Sequence, residues 1–180
     1  MTAETMHDAA MGRFLILTVL ICAGLGCTPS RPPPATVPHV DLERYSGTWY
    51  EIARYDHWFE RGLVGVTATY AVRPDGRIDV LNQGRKDSLT GKESSATAIA
   101  WVVAPGQLKV RFFWPFTGDY WIIGLADDYR WAVVGAPGRD YLWFLHRSPQ
   151  PPEADLAMMR TVATAAGYDL QPLLPVLQAP

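Results

Sequence analysis

The chain has 180 residues, of which 48% are hydrophobic and 19% charged, and its net charge is -2 at pH 7. These values predict one globular domain with a substantial core and exclude a largely disordered chain. The near-neutral charge gives no indication of a nucleic-acid partner. Both cysteines, Cys22 and Cys27, precede residue 28. We therefore expect neither a disulfide nor a thiol nucleophile in the folded domain.

Residues 1–26 are typical of a secretory signal peptide. Arg13 precedes an apolar run over residues 14–25, which is shorter than the roughly 20 residues of a membrane-spanning helix. Acidic residues near the start are unusual in such a signal. Translation from Met11 is therefore an alternative to translation from Met1.

The end of this run resembles the lipobox of bacterial lipoproteins, because Cys27 follows the small residue Gly26. Gly24 stands where Leu is usual, so an ordinary cleaved signal is the alternative. The resemblance implies that Cys27 becomes an acylated N-terminus that anchors the protein in the bilayer. Thr28, rather than Asp, follows it, which implies the periplasmic face of the bacterial cell outer membrane. Residues 27–40 would then be a lipidated cysteine and a Pro-rich, extended tether.

Eight short strands are predicted after this tether, separated by turn residues such as Pro74-Asp75-Gly76. They cover residues 49–56, 63–73, 77–85, 93–103, 107–114, 119–125, 131–136 and 141–147. Short strands at this spacing are typical of an antiparallel sandwich or barrel. We predict an all-β fold, an eight-stranded antiparallel up-and-down barrel, because closure of the sheet leaves no exposed edge.

Strands six to eight are apolar on both faces, so their outer side needs a cover. Residues 152–166 predict one C-terminal α-helix, with Pro near its start and Gly167 after its end. Apolar residues recur in it at helical spacing, and they are Leu156, Met159, Ala163 and Ala166. We expect this helix to pack outside strands six to eight, and residues 168–177 to add an extended segment.

The order of these elements and several short motifs resemble the lipocalin family over residues 41–177, which we take as the domain. The motifs are GTWYEIAR from residue 47, FERG from 59, TATY from 67, GDY from 118, DYLW from 140 and RSP from 147. The resemblance is nearest to the bacterial outer-membrane lipoprotein lipocalins and the apolipoprotein D-like branch. Asp127 stands where the second family signature has Thr.

The resemblance implies a structural signature in which Trp49 closes the barrel floor, Arg147 stacks on it and Gly47 opens the motif. It also implies an apolar ligand, a fatty acid or lysophospholipid, carried or stored for envelope lipid maintenance. Strand alternation predicts an inward-facing calyx lining for this ligand. That lining comprises Ala53, Tyr55, Val66, Ala68, Tyr70, Ile78, Val80, Val110, Phe112, Tyr120 and Ile122. An envelope scaffold with a filled barrel is the alternative.

An enzyme is a further alternative, because His146 follows Asp140 closely and the two could form part of a catalytic array in a lipid-modifying enzyme. We predict no catalytic residue, since nucleophile and phosphate-loop motifs are lacking. The histidines His39, His57 and His146 lack metal-ligand spacing, so we predict neither a metal nor a cofactor. Haem ligation by His57 or His146 is a weaker alternative. The expected partners are the lipid ligand and the bilayer, through acylated Cys27; a homodimer is left open.

Overall fold

The computed structural model describes residues 31–113 and 115–179. The predicted signal peptide and Cys27 lie outside the described residues. The compact unit begins at Pro32. Residues that precede residue 41 already form hydrogen bonds with the barrel. Thr36 donates to the carbonyl of Pro105, and Val37 donates to the carbonyl of Ile122. Within the described part, no helix has the length and apolarity that crossing a membrane requires.

A short helix, α1 (Leu42–Tyr45), precedes the barrel, and a longer helix, α2 (Glu153–Ala165), follows it. The barrel strands are β1 (Gly47–Tyr55), β2 (Leu63–Val72), β3 (Ile78–Lys86), β4 (Glu93–Ala104), β5 (Gln107–Phe113), β6 (Phe116–Leu125), β7 (Trp131–Gly135) and β8 (Leu142–His146). A short strand, β9 (Leu173–Pro175), ends the order. The eight predicted strands and the C-terminal helix are confirmed, whereas α1 was not predicted.

Each barrel strand pairs antiparallel with the next, and β1 closes the barrel by pairing with both β8 and β2. The β1–β2 ladder extends only over Gly47–Tyr50 of β1. Farther along β1, β9 takes over the same edge. The side chain of Gln178 then donates to the carbonyls of Glu51 and Val66, at 2.7 and 2.9 Å. The C-terminal tail therefore completes the seam between β1 and β2.

The alternation of hairpins gives the barrel two different ends. The closed end carries α1 and Trp49, together with the β2–β3, β4–β5 and β6–β7 connections. We call the other end the mouth; it carries the loops of residues 56–62, 87–92 and 136–141, and there β5 ends and β6 begins. Any ligand of the barrel interior must therefore enter from the mouth.

One arginine holds the closed end together. Trp49 is fully buried, and the guanidinium of Arg147 lies 3.9 Å from the centroid of its ring. The same guanidinium donates to the carbonyl of Thr48 at 2.8 Å and to the carbonyls of residues 44–46 at 2.8–3.0 Å. The indole of Trp49 donates to the carbonyl of Tyr45. The implied stacking is confirmed, and it ties the end of β8 to α1 and β1.

Helix α2 packs against the outer faces of β6 and β7. Met159 and Ala163 are fully buried in this contact, as the helical spacing predicts. Gly124 of β6 allows the close approach, because a Cβ there would lie 2.5 Å from Val162 Cγ1. The apolar outer faces of these strands are therefore explained by the helix that covers them.

We expect Arg147→Ala to lower the free energy of unfolding by about 2 kcal/mol, because it removes a partly buried cation–π contact and several hydrogen bonds. Arg147→Lys should recover only part of this loss, since an ammonium group cannot reproduce the planar fork. Urea unfolding followed by tryptophan fluorescence measures the difference. Arg77→Ala, in the exposed β2–β3 turn, is the matched control. An Arg147→Ala loss no larger than that of the control would contradict this account.

Candidate functional site

Most of the predicted lining faces the barrel interior. The predicted residues that are buried there are Val66, Ala68, Tyr70, Ile78, Val80 and Ile122. Val110 and Tyr120 are partly buried against the same cluster. Phe112 lies nearer the mouth and is 45% exposed. Its side chain is therefore not part of the buried wall.

Two predicted lining residues, Ala53 and Tyr55, lie on the outside of the barrel instead. Both belong to the cluster under α2, and the Tyr55 hydroxyl donates to the carbonyl of Asp169. The register of β1 against β8 shifts between Glu51 and Ala53. An extra residue in a strand moves every later side chain to the opposite face of the sheet. The prediction for these two residues is therefore wrong, and Arg54 faces the interior in their place.

The interior wall also includes residues that the sequence prediction did not name. These are Ala98, Ala100, Leu108, Ala132, Val134 and Leu145. Ala98 and Ala100 follow the alternation of β4, and Ala132 faces the interior from β7. Together with Ala68, these alanines make much of the wall apolar, and their side chains project only a short way into the interior. Such a wall suits an acyl chain.

Three tyrosine hydroxyls meet above the floor. The hydroxyl of Tyr120 lies 2.7 Å from that of Tyr45 and 2.9 Å from that of Tyr70. Burial raises the pKa of all three phenols, so they stay neutral and each keeps its hydrogen. Among the described residues these three hydrogens form two mutual bonds. One hydroxyl hydrogen is thus free to be donated to a further acceptor in the calyx.

Higher in the barrel lies a polar cluster, which we call the acid–arginine cluster: Glu51, Arg54 and Glu60. Arg54 Nη1 donates to Glu51 Oε1 at 2.6 Å, and its Nη2 donates to the carbonyls of Glu60 and Leu63. The indole of Trp143 donates to Glu60 Oε2 at 3.0 Å. All three members of the cluster are at most 8% exposed.

The cluster holds two carboxylates against one guanidinium. Burial and the neighbouring charge of Glu60 raise the pKa of Glu51 to about 8, although Arg54 acts in the opposite direction. Burial also raises the pKa of Glu60, which its bond from Trp143 partly offsets. The raised pKa favours the protonated form of Glu51 at neutral pH, so the cluster does not hold two full negative charges against its one guanidinium.

Aromatic rings cover this cluster on the mouth side. The ring of His57 lies 4.5 Å from that of Tyr141, 5.0 Å from Trp143 and 5.4 Å from Phe59, measured between centroids. Burial, and then the nearby charge of Arg54, lowers the pKa of His57, so its imidazole is neutral at pH 7. These rings line the mouth with apolar surface, which a ligand would pass on its way to the interior.

The described residues include three buried side-chain polar atoms that lack a hydrogen-bond partner: Arg54 Nε, His57 Nε2 and Asn82 Oδ1. Asn82 follows Ile78 and Val80 on the inward face of β3, and the other two lie beneath the mouth. Buried polar atoms are rarely left unpaired without a ligand or water to satisfy them. Arg54 Nε and His57 Nε2 therefore mark the mouth end of the calyx, and Asn82 Oδ1 marks its inner wall, as places for a polar group.

Two surface grooves lie outside the calyx. One, of about 320 Å³, lies at the closed end between residues 38–42 and the β4–β5 hairpin. The other, of about 520 Å³, follows the outer wall of β2 to β5. The unpaired polar atoms face the calyx rather than either groove. We therefore assign the candidate site to the calyx, on its chemistry rather than on groove size.

The histidine considered for catalysis lies elsewhere. His146 is buried beneath α2, and its Nε2 lies 3.2 Å from Asp155 Oδ2. Arg130 donates to the same carboxylate at 2.9–3.1 Å. Asp140 lies in the loop at the mouth, at the opposite end of β8. The His146–Asp140 array does not form, and His146 instead helps to fix the start of α2.

We expect Glu51→Gln to flatten the pH dependence of stability. The folded state keeps a proton on Glu51 up to about pH 8, whereas an ordinary Glu loses it near 4.5. The contribution of Glu51 to the free energy of unfolding is therefore fully present below pH 4.5 and is lost as the pH rises through 8. The free energy of unfolding falls by at most about 1.4 kcal/mol per pH unit over this range. Urea unfolding at pH 5, 6, 7 and 8 measures the slope. An unchanged slope in Glu51→Gln would contradict this, and exposed Glu153→Gln is the control.

Comparison with known proteins places this geometry in a family. Residues 40–178 match the family model described as a lipocalin-like domain. The outer membrane lipoprotein Blc of Escherichia coli K12 is 41% identical over 174 residues, which cover 94% of each chain. Mouse apolipoprotein D is 29% identical over 163 residues, 82% of each chain.

Solved structures agree on the fold. Insecticyanin from the tobacco hornworm Manduca sexta superimposes with a TM-score of 0.67 at 15% identity, over 83% of this chain and 85% of that one. The barrel with its outer helix, the Trp49–Arg147 floor and the extent of the sequence match lead to one conclusion. This chain belongs to the lipocalin-like family.

Proposed function

We propose that the protein binds one single-chain lipid, a fatty acid or lysophospholipid, in the calyx, to carry or store it at the cell envelope. The acyl chain lies against the apolar wall formed by residues such as Val80, Ala98 and Ile122. The head group lies toward Arg54 and His57. This arrangement matches an apolar lower wall to a chain and an upper polar layer to a head group.

The observation that carries this proposal is the set of unpaired polar atoms of Arg54, His57 and Asn82. A merely packed barrel would gain nothing from burying Arg54 Nε and Asn82 Oδ1 without partners, because each unpaired group costs about 1–3 kcal/mol. A head group with oxygen atoms can accept from Arg54 Nε, and a hydroxyl or ammonium group can donate to Asn82. Because Glu51 favours its protonated form, the acid–arginine cluster presents at most one carboxylate charge beside Arg54 to an anionic or zwitterionic head group.

The expected affinity is moderate. Burying an acyl chain of about 16 carbons contributes on the order of 10 kcal/mol gross. Loss of translational freedom and ordering of the chain offset a large part of this gain, which leaves dissociation constants of about micromolar order. Such affinities allow both uptake and release.

We further propose that acylated Cys27 anchors the protein to the periplasmic face of the outer membrane. Support comes from the lipobox-like sequence ending at Cys27 and from the similarity to proteins described as outer membrane lipoproteins. Two or more acyl chains suffice for stable anchoring, whereas one gives only reversible binding.

Native mass spectrometry of the protein after addition of palmitate or lysophosphatidylethanolamine tests the ligand. We expect one lipid per chain in the parent protein and about tenfold weaker binding in Ala98→Phe, whose side chain enters the calyx. Thr97→Phe, the exposed neighbour on the outer face of β4, should bind like the parent. Equal binding by both variants, or an inert parent, would argue for the filled scaffold.

Fractionation of cells that express Cys27→Ser tests the anchor separately. The parent protein should sediment with the outer membrane, and the variant should move to the soluble fraction because it lacks acyl chains. Radiolabelled palmitate should enter the parent and not the variant. Unchanged membrane association together with unchanged labelling would refute the anchor and leave the ligand proposal standing.

A further inference from the structure

We propose that aromatic side chains around the mouth rest on the phospholipid bilayer, so that the calyx opens directly onto the membrane surface. This proposal relies on the anchor proposed above for its orientation. The rim is defined here as Trp58 and Phe59 of the β1–β2 loop together with Phe113 and Phe116 beside the β5–β6 turn.

The exposed apolar residues concentrate at this end. Among the described residues, the large hydrophobic side chains that are exposed are Trp58, Phe59, Val102, Val103, Phe112, Phe113, Phe116, Met158, Leu174 and Leu177. The rim residues Trp58, Phe113 and Phe116 are 78%, 64% and 67% exposed. Phe112 precedes Phe113 on β5, and Leu174 and Leu177 lie on the C-terminal segment that follows the edge of β1. Val102 and Val103 lie near the closed end, and Met158 lies on α2.

The rim has two sides that flank the mouth. Trp58 and Phe59 are in edge contact, with ring centroids 5.7 Å apart. Phe113 and Phe116 are likewise in edge contact at 5.5 Å. The β1–β2 and β5–β6 connections are four strand positions apart around the eight-stranded barrel, so these pairs stand on opposite sides of it. A flat apolar medium, rather than a narrow peptide, can contact both pairs together.

The path of the chain brings this end to the membrane. Arg139, in the mouth loop of residues 136–141, donates to the carbonyl of Pro32 at 2.7 Å and to the carbonyl of Ala166 at 2.8 Å. The packed chain therefore begins at the mouth rather than at the closed end. Cys27 precedes Pro32 by five positions, which span at most about 18 Å. An anchor at Cys27 holds the mouth within that distance of the bilayer.

The chemistry of the rim fits the interfacial region of a bilayer. Aromatic rings favour the boundary between head groups and acyl chains. The charges next to Trp58 and Phe59 are paired with each other, since Arg61 lies 3.0 Å from Asp56. Contact should therefore depend on apolar partition and vary little with salt, unlike the binding of a polybasic segment.

Quenching by brominated phospholipid tests the contact in the anchored, full-length protein. The acylated protein is reconstituted in vesicles of phosphatidylethanolamine and phosphatidylglycerol with brominated phosphatidylcholine, and tryptophan fluorescence is recorded. We expect brominated lipid to quench part of the tryptophan emission of the parent protein. In Trp58→Phe the quenched fraction should be much smaller. Trp101→Phe, on β4 near the closed end, should leave it unchanged. Equal quenched fractions in the parent and in Trp58→Phe would overturn the proposal.

A vesicle flotation assay tests the rim independently of the anchor. The Cys27→Ser protein should bind vesicles of phosphatidylethanolamine and phosphatidylglycerol weakly and almost equally at 50 and 500 mM NaCl. Combined Trp58→Ser, Phe113→Ser and Phe116→Ser should reduce this partition about tenfold or more. These side chains are exposed, so circular dichroism should show an unchanged fold.

Val102→Ser combined with Val103→Ser removes exposed apolar surface at the closed end and should leave flotation unchanged. Equal flotation of the rim variant and this control would overturn the proposal. A second outcome would also overturn it: the parent does not float with vesicles but forms a concentration-dependent dimer, and the rim variant is monomeric. The rim would then contact a second copy of the chain rather than a bilayer. Failure of palmitate labelling at Cys27 would remove the anchor without changing either flotation result.

Discussion

The stacking of Arg147 on Trp49 is the contact on which the rest of the barrel depends. Arg147 directly follows β8, the last barrel strand, and its hydrogen bonds reach α1 and the start of β1, the first barrel strand. It thereby reinforces the ladder between β1 and β8, which joins the two ends of a series of strands that otherwise pair with their sequence neighbours. Trp49 and Arg147 cover the floor of the barrel, and the ladder between β1 and β8 leaves no free sheet edge between the first and last barrel strands.

Above this floor the calyx combines apolar and polar layers. The apolar layer of small and branched side chains does not discriminate between acyl chains. The polar layer is built around Arg54, and the raised pKa of Glu51 limits its negative charge at neutral pH. Its unpaired polar atoms give a head group specific partners. In the proposed complex, these two layers would accept a class of lipids and fix which end of the lipid faces the mouth.

The sequence predicted the features that depend on local patterns. Turn residues and alternation located the strands, and helical spacing identified Met159 and Ala163 as the buried face of α2. The prediction failed for Ala53 and Tyr55, because one extra residue in β1 reverses strand facing and leaves no compositional signal. It also missed the pairing of His146 with Asp155, since that contact depends on where a distant helix packs.

The most direct test of the central claim is nuclear magnetic resonance with a ¹³C-labelled lysophospholipid and labelled methyl groups in the protein. We expect nuclear Overhauser effects between the acyl chain and the methyl groups of Val80 and Ala98 inside the barrel. Val162, between α2 and the outer wall, should show none. Effects confined to Val162 or to the outer grooves, with none at Val80 and Ala98, would contradict the assignment of the ligand to the calyx.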